Sequence, residues 1–171
     1  MGGKQRLVKQ LLPLVPEHEV YCEVFGGGAA LLLNKPRSRI EVLNDIDGNI
    51  VNLFMVVRDQ PEAFIERCRS LPYSRELFAT WRNPILEGKL DELGDPVERA
   101  VRFYYVIRSA FASNLRKGWR FAMRTNEPNR LLNVINTISK VSERLRGVYI
   151  DHLDFRRCIK NWDSPSTFFL P

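Results

Sequence analysis

The most constraining feature of this sequence is a short run of strand-forming residues, Glu19 to Val24, that passes directly into Phe25-Gly26-Gly27-Gly28-Ala29-Ala30. A second such run follows and closes on a carboxylate, Arg39-Ile40-Glu41-Val42-Leu43-Asn44-Asp45. Residues without Cβ let the backbone reverse sharply and approach a bound group, so the first run predicts a strand and a tight glycine turn. Ala29 to Leu33 is expected to leave that turn as a helix, and Ile46 to Val57 to follow the second strand as another. This order is a βαβ unit of the doubly wound kind, which places the chain in the α/β class. Leu7, Val8, Leu11 and Leu12 recur at helical spacing ahead of Pro13 and Pro16, so residues 3–14 are expected to form an opening helix.

Beyond Asp59 the pattern changes. Residues 61–71, 74–86, 96–111 and 131–145 read as helices joined by turns rich in Pro, Gly and Asn, with no convincing strand among them. Strand character returns at Val148 to Leu153, then comes a short helix over 155–161 and a last apolar strand over 167–170. A helical insertion, 59–147, is thus expected to interrupt an α/β core made of 1–58 and 148–171.

With 44% hydrophobic residues in 171, the chain has enough apolar surface for such a core. Its net charge of +6 is unevenly spread: eleven Arg and Lys stand against two Glu between Arg99 and Ile150, leaving the remainder net negative. Arginine predominates there, and Phe103, Tyr104, Tyr105, Phe111, Trp119 and Phe121 are interleaved with it. That mixture suits contacts to phosphates and stacking on bases, or else a solvated basic helix face. Cys22, Cys68 and Cys158 have no metal-ligand spacing and are expected to be reduced and mostly buried, with no metal site. No apolar run is long enough to cross a bilayer and no leader pattern precedes the first helix, so a cytoplasmic protein is expected.

Together, a glycine turn and an acidic residue ending the next strand suit a nucleoside ligand, whose ribose hydroxyls donate to the carboxylate. Taken singly, the glycines could be only a structural turn and Asp45 only a helix cap. Consecutive Gly26, Gly27 and Gly28 do not form GxGxxG, which disfavours a nucleotide-dependent oxidoreductase.

The joint pattern resembles a known family. Gly2-Gly3-Lys4, Cys22-Glu23-Val24-Phe25-Gly26-Gly27-Gly28 and Asn44-Asp45-Ile46-Asp47 are similar to the GGK, EPFxGxG and (N/A)DIN motifs of Dam-like (D12 class) DNA adenine N6-methyltransferases. Phe103-Tyr104-Tyr105-Val106-Ile107-Arg108-Ser109-Ala110-Phe111 resembles the family's target-recognition segment FYxLNRxxF. Leu153-Asp154-Phe155-Arg156 resembles the strand end after the insertion.

The resemblance implies a Rossmann-like S-adenosylmethionine-dependent methyltransferase sheet, incomplete here, with an inserted helical target-recognition lobe acting on double-stranded DNA. By the same resemblance, Lys4 approaches the amino-acid end of S-adenosylmethionine and the turn Phe25, Gly26, Gly27, Gly28 underlies it. Asp45 holds the ribose, and Asp154 and Phe155 hold and stack the adenine. Arg108, Phe111, Asn114, Arg116 and Lys117 face DNA. Each also has a plainer reading: Lys4 as a solvated residue, Asp154 as a helix cap, Phe155 as core.

Departures are Val24 for the family's proline, Ile107 for the Asn before Arg108, and Ala112-Ser113-Asn114 for an FNG-like turn, which leaves the recognised DNA site open. Ser166 to Pro171 leads toward the position where the family carries Asp-Pro-Pro-Tyr, and no such tetrapeptide stands in the sequence. No catalytic residue is therefore assigned, and this polypeptide alone is expected to lack methyl transfer. A completing C-terminal segment, or self-association through an exposed strand 167–170, is the expected consequence. The competing class is a non-catalytic DNA-binding module on a degenerate nucleoside fold.

Overall fold

The computed structural model describes residues 4–171, the side chain of Lys4 excepted. Its chain divides into two compact units, one of residues up to Val51 together with Arg144–Pro171, the other Asn52–Glu143.

The first unit is built on four parallel strands: β1 (Val20–Glu23), β2 (Ile40–Asn44), β3 (Val148–Asp151) and β4 (Thr167–Leu170). Their order across the sheet is β3-β2-β1-β4. In register, Cys22 pairs with Val42 on one side and Phe169 on the other, and Val42 pairs with Tyr149. Successive strands β1, β2 and β3 step one way, and β4 then returns to the far side of β1. This reversal makes the carboxyl ends of the strands beside it the expected ligand crevice of a doubly wound sheet.

Parallel strands are covered on both faces, and here the two faces differ. One carries Cys22, Val24 and Val42, closed by Cys158 and Trp162 of the last helix, α8 (Phe155–Trp162). All three cysteines of the chain are free and buried. The other face carries buried polar groups. Glu23 Oε1 accepts from the Tyr21 hydroxyl at 2.9 Å and from the Leu32 N–H at 2.7 Å. Glu41 accepts from Lys35 at 2.8 Å and from both terminal nitrogens of Arg144.

Residues 29–35 form a chain of turns where the sequence predicts a helix. Two causes are visible: Ala29 takes φ +50°, which interrupts helical propagation, and the Leu32 N–H goes to Glu23. The opening helix α1 (Lys4–Leu11) tightens into a 3-10 turn over Leu12–Leu14, and α2 (Gly48–Asp59) begins two residues later than expected.

In the second unit α3 (Pro61–Arg69) and α4 (Arg75–Leu86) pack on α5 (Pro96–Ser109), α6 (Glu127–Ile135) packs on α3, and α7 (Ile138–Leu145) leads back to β3. Helix starts are set by side-chain caps. Ser74 accepts from the N–H groups of Glu76 and Leu77, Asp95 from Val97, and Asn126 from Asn129. Residues 131–145, read from sequence as one helix, are two. The break falls at Asn136-Thr137, where the Thr137 hydroxyl turns back onto the Val134 carbonyl.

Core aromatics meet edge-on, Phe64 against Tyr104 at 5.4 Å and Trp81 against Tyr105 at 5.3 Å between ring centroids. Among the described residues no helix is long and apolar enough to cross a membrane.

Candidate functional site

In the first unit the carboxyl ends of β1, β2 and β3 bring the expected ligand-binding segments together. Phe25 leaves β1 52% exposed, and Phe155 opens α8 at 40%. Their rings lie 6.0 Å apart, tilted by 36°. Between them in strand order comes β2, followed directly by Asp45. Its Oδ2 accepts the Gly27 N–H at 2.8 Å and its Oδ1 the Asp47 N–H at 2.9 Å. Each oxygen thereby keeps a lone pair for another donor, the chemistry a pair of ribose hydroxyls needs.

The glycines differ in why they are there. Gly26 is buried, and a Cβ there would come within 2.5 Å of the Leu43 side chain and 3.0 Å of the Asn44 carbonyl. Gly27 takes φ +52°, a left-handed conformation that favours glycine. Gly28 is exposed. Asp154 caps α8, its Oδ1 accepting from Arg156 and Arg157 N–H groups, and it is exposed. Arg156 lies 4.6 Å over the Phe155 ring. Gly2, Gly3 and the Lys4 side chain fall outside the described residues.

One residue of this cluster is not singled out as a site residue by the sequence. Asn44, 1% exposed, donates from Nδ2 to the Val24 and Leu153 carbonyls and accepts the Leu153 N–H on Oδ1. Only the motif in which it stands hints at it, because its partners are backbone atoms distant in sequence.

The second unit holds the basic residues. Ala110 and Trp119 form an antiparallel bridge, closing a loop over 111–118 in which Phe111 N–H donates to Gly118 O. Ala112 and Ser113 both take positive φ, and the Asn114 side chain accepts the Arg116 N–H. Phe111, Asn114, Arg116 and Lys117 are exposed on this loop, with the Lys117 ammonium 5.5 Å from the Phe111 ring centre. Arg82 secures the loop through the Leu115 carbonyl.

Arg108, partly buried at the end of α5, lines a pocket with Arg120, Arg130, Tyr73, Glu127 and Leu131. Burial pushes the Tyr73 hydroxyl up to about 12, with the Glu127 carboxylate adding to it. By contrast Phe103, Tyr104 and Tyr105, expected to be available for stacking, are core. The reason is that α5 is buried nearly all round over Phe103 to Ile107. Trp119 stacks on Phe121 at 6.1 Å, and Phe121 is the exposed member, at 67%.

A parallel sheet in the order β3-β2-β1-β4, with a glycine turn, a carboxylate and exposed aromatics at its strand ends, defines a Rossmann-like fold of the methyltransferase type. The family follows from comparison with known proteins. Residues 1–144 match the D12 class N6 adenine-specific DNA methyltransferases, and the chain belongs to that family.

It is 31% identical over 113 residues to the Type II methyltransferase M1.LlaDCHI of Lactococcus lactis subsp. cremoris. It is 29% identical over 115 residues to the DNA adenine methylase of Salmonella typhi. Both alignments take in 64% of this chain and 39% of the relative, so the chain spans about two-fifths of the length of these curated proteins. The modification methylase StsI of Streptococcus sanguinis aligns over 94% of the chain at 22% identity, across 26% of its own length.

Proposed function

We propose that this chain supplies the cofactor pocket and DNA-reading surface of a DNA adenine N6-methyltransferase that uses S-adenosylmethionine on double-stranded DNA. The observation that supports this most is the meeting of Phe25, the Gly26-Gly27 turn, Asp45 and Phe155 at three strand ends, although 109 positions separate Asn44 from its partner Leu153. The residues suit the ligand. Asp45 offers acceptors to a ribose, and Phe25 and Phe155 offer apolar faces to an adenine. The Asp154 carboxylate stands beside that ring for its amino group, and Lys4 is the counter-charge for the ligand's carboxylate. Bound S-adenosylmethionine brings a sulfonium-activated methyl group to be transferred.

In the second unit, Arg116, Lys117 and Asn114 on the 111–118 loop suit phosphate and base-edge contacts, with Phe111 as an exposed stacking face. The Arg108–Arg120–Arg130 pocket adds a concentration of guanidinium groups, a residue chemistry that suits phosphate, with the Glu127 carboxylate 3.8 and 3.7 Å from Arg120 and Arg130. Chemistry on an adenine amino group needs the base extruded and held. The 171 residues contain no Asp-Pro-Pro-Tyr to do so, and by themselves they are expected to bind without transferring methyl. Strand β4 ends the sheet on one side, and a further strand or a second copy could pair with it.

Calorimetric titration with S-adenosylhomocysteine tests the reading: saturable binding, lost in Asp45→Ala, is expected. Duplex DNA titrated at two salt concentrations should bind more weakly at the higher one. DNA binding with no cofactor binding would favour a non-catalytic module instead. Labelled methyl incorporated into adenine by this polypeptide alone would refute the expectation of binding without transfer.

A further inference from the structure

We propose that Asn44 is a positioning residue, whose side-chain amide sets the spacing of the three segments that hold the cofactor. The inference rests on the cofactor reading above. Sheet pairing fixes β1 against β2 only as far as Glu23 and Leu43, and β2 against β3 only as far as Asn44 and Asp151. The proposed ligand contacts all begin beyond those limits, where the ladder gives way to single backbone bonds from Gly26 N–H to Asn44 O at 2.7 Å and from Asp45 N–H to Asp151 O at 3.3 Å.

Asn44 bridges that gap. Its Nδ2 donates to Val24 O at 2.9 Å, one residue before Phe25, and to Leu153 O at 3.0 Å, one residue before Asp154. Its Oδ1 accepts Leu153 N–H at 2.9 Å, and its own carbonyl accepts Gly26 N–H at 2.7 Å. Asp45 is its chain neighbour.

Both Nδ2 hydrogens are used on carbonyls and the oxygen on an N–H, so the amide has a single orientation that satisfies every partner. No other side chain of that size supplies two donors and an acceptor in one plane. Aspartate would set a carboxylate against two carbonyl oxygens, and alanine would remove the partner of the Val24 carbonyl and of the Leu153 carbonyl and N–H.

The test compares S-adenosylhomocysteine affinity of the wild-type chain, Asn44→Ala, Asn44→Asp and Val42→Ala, at a temperature where circular dichroism shows all four folded. Val42 is a fully buried residue of the same strand with no hydrogen-bonding side chain. The proposal expects Asn44→Ala and Asn44→Asp to bind at least about tenfold more weakly, in line with the loss of supporting contacts around other ligand sites. Val42→Ala should lower the unfolding temperature and leave the affinity unchanged.

Equal affinity in the Asn44 variants, or a loss no greater than that of Val42→Ala, overturns the proposal while leaving the cofactor reading intact. Absence of binding by the wild-type chain sinks that reading and this inference with it. Should the Asn44 variants not fold, nuclear magnetic resonance of the wild-type chain decides. The Asn44 side-chain amide protons are expected to exchange slowly and to shift saturably with ligand, and fast exchange with no shift overturns the proposal.

Discussion

The two units use their recognisable motifs in opposite ways. In the first, the glycine turn and Asn44-Asp45 stand at strand ends, where Phe25 and the Asp45 carboxylate remain open to a ligand and the buried Asn44 side chain ties the neighbouring segments together. In the second, Phe103 to Ile107, the centre of the segment resembling a DNA-reading motif, is the interior of the unit, and only Arg108 and the following loop reach solvent. A motif at strand ends therefore reports a candidate site directly. A motif on a buried helix reports the scaffold that presents a site a few residues further on.

The strongest way to break this contrast is to truncate the buried motif. Phe103→Ala should destabilise the protein by about 3–5 kcal/mol, the range for removing a buried aromatic, because Phe103 is only 2% exposed. Urea unfolding reads it. A loss below about 1 kcal/mol would mean that the side chain is not core and would return it to the aromatics available for stacking.

A smaller effect separates the glycines of the two units. Gly26→Ala should cost about 1–3 kcal/mol, as overpacking does, since the added Cβ meets Leu43 and presses on the Asn44 carbonyl. Gly118→Ala has nothing within 4 Å of the added carbon and should stay within about 0.5 kcal/mol of wild type. Thermal melts of the two variants side by side distinguish a glycine required by packing from one that is merely in a turn.

Sequence reading reaches the first unit further than the second for the same reason. All four strands and Asp45 just after β2 are legible, because period-two or continuous apolar runs bounded by turn residues mark strands locally. The turns over 29–35 are not, since they depend on Glu23 capturing the Leu32 N–H across the sheet face. Asn44 can be read as part of a motif but not as a brace, because its bonds to Leu153 become visible only once the sheet is formed. In the second unit, aromatic and basic residues in one stretch look uniformly available. Burial then divides them, placing Tyr104 and Tyr105 inside and Phe111 outside.

Acid provides a third comparison. Burial pulls the Glu41 carboxyl upward, but hydrogen bonds from Arg144, Lys35 and the Ser38 N–H outweigh it and leave it below the ordinary value of 4.5. Burial likewise opposes Arg102 and Arg67 at Glu98, and again the donors prevail. A carboxyl that is more acidic in the folded chain than in the unfolded one contributes stability that is complete above the unfolded pKa and lost as pH falls through the folded one. Melting temperature should therefore be flat near neutrality and fall below about pH 4.5. Glu41→Gln should flatten the part of that fall due to the first unit, and an unchanged acid slope would show that Glu41 is not depressed.

The smallest effect on stability belongs to the loop over 111–118, and there it is most informative. Arg116 and Lys117 are exposed and make no ion pair to a carboxylate among the described residues. Arg116→Ala and Lys117→Ala should therefore change stability by less than about 0.5 kcal/mol. If they contact phosphates, each should weaken binding to unrelated duplexes by a similar factor and lower the slope of log affinity against log salt by roughly one. Arg108→Ala should behave differently, because its guanidinium shares a pocket with Arg120 and Arg130 around Glu127. Removing it leaves that pocket less positive, so the loss in DNA affinity should exceed that of either loop residue. Equal, salt-independent losses at all three positions would show that charge on this unit does not read DNA, and the contrast between a site at strand ends and a site beyond a buried helix would then hold only for the first unit.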